Sequence, residues 1–106
     1  MRKNYDKLIR DRIPEIMDAQ GVTYQVRVMT DAEYQAALRE KIVEEANEVV
    51  QASPVEITKE LADLQEVMDA LMVAVGVTPE EVRAMQIERR DERGGFSERL
   101  KLLWTE

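Results

Sequence analysis

A chain of 106 residues fits one small domain, and 44% apolar with 35% charged residues describes a soluble, packed chain. A formal charge of −7 argues against binding a nucleic-acid polymer, whose backbone is held by Lys and Arg, although a nucleotide stays possible if bound cations bridge the negative charges. With no Cys and no His there is no disulfide, thiol nucleophile, imidazole base or zinc–thiolate site, so any catalysis must run on carboxylates, Lys, Arg, Tyr and a hard cation. No apolar run reaches the length of a membrane span and the opening residues lack a signal peptide's apolar core, so a cytoplasmic protein without membrane contact is expected.

Taken in order, residues 1 to 7 read as irregular. Pro14 then suits the first turn of a short helix over about 13 to 20, which Gly21 stops. Val22-Thr-Tyr-Gln-Val-Arg-Val-Met29 places Tyr24, Val26 and Val28 on one side and Thr23, Gln25 and Arg27 on the other, which is strand periodicity. Thr30-Asp-Ala-Glu33 has the form of a capping box opening a long helix to about 52. Ser53-Pro54 breaks it, with Ser53 read as the cap and Pro54 as the first residue of a second long helix ending at Gly76. So short a break folds the two helices into an antiparallel hairpin. Thr78-Pro-Glu-Glu81 opens another helix, to about Arg93 before Gly94-Gly95. Phe96 to Trp104 alternates again and supplies the partner that an isolated strand requires. The expected fold is therefore mainly α: four helices around a central antiparallel hairpin, with a small two-stranded ribbon, in a single domain spanning 1–106.

The acids on the central hairpin stand out. At about 100° per residue, Glu44, Glu48, Lys41 and Glu45 occupy a compact stripe along the border of the apolar face of the first long helix. On the second, Glu60 falls inside the apolar arc, flanked by Val67 and Leu71, and Asp63 lies at its edge. A carboxylate on a core-facing stripe is costly unless it is paired or binds a metal. The plain alternative is a solvated acidic helix face, since Glu favours helices. Against it, like charges at i, i+4 repel, no Lys or Arg follows Glu48 at relieving spacing, and a second acidic pair lies across the hairpin. Facing carboxylates form an oxygen-rich cage suited to Mg²⁺, or Mn²⁺, and to phosphoryl chemistry in which an activated water attacks phosphorus. Lys41 lies one turn before Glu45 and can reach a phosphate or pair with its acidic neighbours. Lys7, Arg10, Arg12 and Arg93 are further phosphate candidates, with solvated charges or a helix-end cation as the alternative.

The pattern Glu44-Glu45-x-x-Glu48, a short spacer, then Glu60-x-x-Asp63 resembles the signature of the all-α nucleoside triphosphate pyrophosphatases. These include the MazG proteins, dimeric dUTPases and phosphoribosyl-ATP pyrophosphohydrolase. Tyr5-Asp-Lys-Leu-Ile-Arg-Asp-Arg-Ile-Pro14 is similar to the opening of the small MazG-like branch, and Arg93-Gly-Gly-Phe96 with the following tail resembles its ending. The resemblance implies hydrolysis of a nucleoside triphosphate between the α- and β-phosphates with Mg²⁺, giving a monophosphate and pyrophosphate. It implies Glu45, Glu48, Glu60 and Asp63 as metal ligands and Glu44 as the additional acid, with either Glu44 or Glu45 activating the water. A nucleotide is then the small-molecule partner, and a homodimer or homotetramer completes the helical core and places substrate pockets near a subunit interface. Two other readings stand beside this one: a phosphoribosyl-ATP, dUTP or dCTP hydrolase within the superfamily, and a non-catalytic helical interaction module whose acids are only a solvated stripe.

Overall fold

Side-chain caps and turn residues set the helix limits in the computed structural model, which describes residues 1–106. Helix α1 (Ile13–Ala19) carries Pro14 in its first turn, where a missing N–H costs nothing. Helix α2 (Asp31–Gln51) opens on a complete capping box: the Glu33 N–H donates to Thr30 Oγ1 over 3.2 Å, and the Thr30 N–H donates to Glu33 Oε1 over 3.1 Å. The Arg27 guanidinium adds two bonds to the same carboxylate, of 2.9 and 2.6 Å. The Arg27 bonds first, and then the Thr30 N–H, bring the Glu33 carboxyl down to about 2.

Helix α3 (Ile57–Val75) starts later than Ser53-Pro54 suggests. Ser53 does not cap it. Its carbonyl accepts the Glu56 and Ile57 N–H groups and its hydroxyl meets Glu56 Oε1, so residues 54–56 form a turn before the helix begins. Pro at the first position of a turn and Pro in the first turn of a helix share one φ, which is why the sequence does not separate them. Gly76 ends α3 at φ 75°, the left-handed conformation that other residues adopt at a cost, and its N–H reaches the Met72 and Val73 carbonyls. Helix α4 (Pro79–Arg93) is capped by Thr78, whose hydroxyl accepts from the Glu81 N–H.

Helices α2 and α3 pack as the expected antiparallel hairpin. Gln35, near the start of α2, donates to the Ala74 carbonyl near the end of α3 over 3.4 Å. Leu38 sits between them at 2% exposure and is the chain's only fully buried apolar side chain. Much of the hairpin's remaining apolar surface faces outward, with Val43, Val50, Leu61 and Val73 all exposed. The chain forms two compact units, Met1–Gly76 with α1 to α3 and Val77–Glu106 with α4 and the tail. No helix is long and apolar enough to cross a membrane.

The four-helix, mainly α expectation holds, but the two-stranded ribbon does not form. Residues 22–29 have no regular secondary structure and no ladder bonds, and Val28 is 95% exposed. In the tail the Arg99 N–H folds back on the Phe96 carbonyl over 3.1 Å, with Arg99 at φ 59°. A left-handed residue inside the alternating run reverses the chain direction and cannot lie in a strand. Alternation reports that a segment is amphipathic at 180° per residue; the ladder itself needs a straight partner.

Candidate metal and phosphate site

The hairpin brings three acids from separate turns into one cluster. Glu45 of α2 and Glu60 and Asp63 of α3 each place one carboxylate oxygen within 4.8 Å of the others. Glu60 is 7% exposed and is the only buried charged residue in the chain, while Glu45 and Asp63 are half-buried at the rim. The cause is the helix phase. Glu60 and Asp63 lie three residues apart, so they stack on one face, and the antiparallel partner presents Glu45 at the same height.

Cations hold every member of the cluster. Lys59 Nζ lies 3.2 Å from Glu60 Oε1 and 3.4 Å from Asp63 Oδ2. Arg10 Nη2 donates to the other oxygen of Asp63 over 2.9 Å, joining residues 53 positions apart. Lys41 Nζ stands 3.5 Å from Glu45 and 3.3 Å from Glu44, and Lys7 Nζ stands 3.6 Å from the same Glu44 oxygen. No buried side-chain oxygen or nitrogen lacks a hydrogen-bond partner. For Glu44, partial burial pushes the carboxyl up, but the bonds and charges of Lys41 and then Lys7 outweigh it, so the net direction is down. Glu60 first, and Asp63 next, raise the Lys59 ammonium above its ordinary value. Glu44 and Lys59 are therefore charged at neutral pH.

The sequence candidates divide accordingly. Glu45, Glu60 and Asp63 converge, whereas Glu48, exposed one turn further along α2, lies outside the cluster. Glu44 and Lys41 border it on α2, and Lys7 and Arg10 reach it from the N-terminal segment, which crosses the hairpin by these two ion pairs. Arg12 pairs instead with Glu15, at 2.9 Å. Arg93 occupies the last turn of α4, in the second unit. Lys59 was not among the candidates. Its signal was present as a Lys four residues before Asp63, the spacing of a helical ion pair. The Arg10–Asp63 pair had none.

The cluster's chemistry can be tested against a metal. Its donors are all carboxylate oxygens, the set that hard divalent cations prefer. Oxygens on opposite sides of such an ion are separated by roughly 4–5 Å, twice the usual metal–oxygen distance. A spacing within 4.8 Å meets that span without backbone movement, so the residues fit a metal ion. They fit it in competition with Lys59 and Arg10, which hold the same oxygens.

Antiparallel helices that bring an oxygen-only donor cluster together among Lys and Arg side chains define an all-α protein with a candidate cation and phosphate site. The chain belongs to the phosphoribosyl-ATP pyrophosphohydrolase family, whose model matches residues 2–90, and with it to the MazG-like all-α nucleoside triphosphate pyrophosphatase superfamily. A stretch of 43 residues is 49% identical to an uncharacterized protein of Mycolicibacterium smegmatis, covering 41% of this chain and 44% of that relative. The likeness thus spans less than half of that protein's length. No solved structure matches the chain.

Proposed function

We propose that the chain is a Mg²⁺-dependent nucleotide pyrophosphohydrolase that splits a nucleoside triphosphate, standard or modified, into its monophosphate and pyrophosphate. The observation that carries this reading is the Glu45–Glu60–Asp63 cluster, set among Lys and Arg side chains on the hairpin of a chain that matches the family over residues 2–90. In this reading Glu45, Glu60 and Asp63 hold the ion, and Glu48 joins them by a rotamer change from its exposed position on α2. Mg²⁺ or Mn²⁺, when bound, would neutralise phosphate oxygens and favour attack by water. Glu44 or Glu45 takes that water's proton as the α–β anhydride bond breaks and pyrophosphate leaves. Lys41, Lys7 and Arg10 lie beside the cluster, where they draw in the polyphosphate.

The family match also supports phosphoribosyl-ATP as the substrate, because that reaction gives the family its description. The match runs on past Gly76 to residue 90, which supports reading the chain as a single domain. Self-assembly into a dimer or tetramer is supported by the single buried apolar side chain and the exposed valines of the hairpin. The test is pyrophosphate release from a panel of nucleoside triphosphates, deoxynucleoside triphosphates and phosphoribosyl-ATP, with Mg²⁺ and with chelator. Release from at least one substrate that stops on chelation is expected; no release from any of them overturns the enzymatic reading in favour of a non-catalytic helical module.

A further inference from the structure

Four carboxylates and four protein cations meet on this hairpin: Glu44, Glu45, Glu60 and Asp63 against Lys7, Arg10, Lys41 and Lys59. The set is neutral. A divalent ion approaching it therefore meets little net attraction, and the oxygens it needs already carry other partners. Arg10 and Lys59 between them occupy both oxygens of Asp63, and Lys59 also holds Glu60 Oε1.

The cations are not held equally. Lys41 is 20% exposed, pressed against α2, while the Lys59 side chain is 72% exposed and reaches inward over the cluster from solvent. Only Lys59 touches two of the three convergent carboxylates. A flexible four-carbon stem in water rotates away without disturbing the packing, and its released ammonium stays within a few ångströms of the site. An ion that takes its place leaves the set with surplus positive charge, and a polyphosphate supplies the matching anion.

On the reading that this cluster binds a divalent ion for phosphate chemistry, we propose that Lys59 is the site's resident counter-ion: it yields the Glu60 and Asp63 oxygens to the metal and then binds the incoming polyphosphate. Lys59 is in this sense a phosphate-binding group kept in place by the Glu60 and Asp63 carboxylates. Metal uptake and phosphate capture become one exchange, so the metal-loaded protein is the form with a free ammonium.

The experiment uses the full chain and two probes, Mn²⁺ followed by calorimetry or paramagnetic resonance, and inorganic tripolyphosphate. Without tripolyphosphate, K59M binds Mn²⁺ roughly three- to tenfold more tightly than wild type, the range expected for removing an exposed competing cation. K101M, which removes an exposed charge on the tail, changes Mn²⁺ affinity by less than about threefold. With Mn²⁺ saturating, K59M binds tripolyphosphate about tenfold more weakly, and K59R restores wild-type behaviour on both measurements. Unchanged or weaker Mn²⁺ binding by K59M, an equal gain in K101M, or undiminished tripolyphosphate binding overturns the exchange while leaving the hydrolase reading intact. A wild type that takes up no Mn²⁺ at all overturns both.

Discussion

Replacing Glu60 by Gln tests the cluster where it is least able to adapt. The amide has nearly the same shape and keeps one oxygen beside Lys59, so it fits a position that is 7% exposed. Two effects on folding oppose each other: attraction to Lys59 is lost, and the cost of keeping a charge away from water is relieved. Because Lys59 is 72% exposed and its pull is screened, the two nearly cancel, and the melting temperature should move by no more than about 5 °C. Metal binding has no such compensation. One of three convergent anionic donors becomes neutral, and even groups that only orient a metal's ligands contribute about 10- to 100-fold in affinity. A direct ligand should exceed that, so loss of pyrophosphate release by at least about 100-fold is expected, equivalent to about 2.7 kcal/mol. The assay pairs pyrophosphate release over a Mg²⁺ series with thermal melting of the same samples. Wild-type turnover in a folded E60Q protein would refute the assignment of Glu60 to the metal. Collapse of the fold would refute the claim that its charge is dispensable for folding.

Other expectations concern the scaffold. Leu38→Ala removes the one fully buried apolar side chain and should destabilise the protein by about 3 kcal/mol in urea denaturation, whereas Leu38→Met costs under about 1.5 kcal/mol. Glu33 has a folded value near 2 against 4.5 for the free group, so its stabilising contribution is complete above 4.5 and is lost as pH falls from there towards 2. Carbon-detected titration should find its midpoint near 2, and R27A should raise it towards 4.5, with the Thr30 N–H retaining part of the depression. On the proposed self-assembly, in which a second copy covers the exposed apolar face of α2 and α3, dilution from micromolar to nanomolar concentration should release subunits and lower the melting temperature; a concentration-independent monomer would contradict this.

The elements that local chemistry determines could be read from the residues alone. Thr30 with Glu33, and Thr78 with Glu81, open their helices by bonds that span three residues. The phase of Glu60 relative to Leu64, Val67 and Leu71 correctly set it apart as a charge on the inward face, and it is buried. What the sequence hid depends on distance along the chain or on a missing neighbour. The Arg10–Asp63 bond joins segments that no periodicity relates. Alternation in 22–29 and 96–104 described two amphipathic segments but not a ladder, and the turn at Arg99 broke the second one. At Ser53-Pro54 the turn and the helix start use the same residues, and the choice fell to the carbonyl of Ser53.

The bond between Arg10 and Asp63 also bears on the order in which the chain is expected to fold. The α2–α3 hairpin closes over the short connection at 52–56, so its contacts form early and without the first dozen residues. Its acids should then assemble before Lys7 and Arg10 arrive, leaving the folding chain more negative at that spot than the finished one. Pulse-labelled amide exchange should protect α2 and α3 before the N-terminal segment gains any order. During that interval the chain's strongest demand is for a small cation from solution, so divalent salt should speed the closing of the hairpin as well as occupy it afterwards.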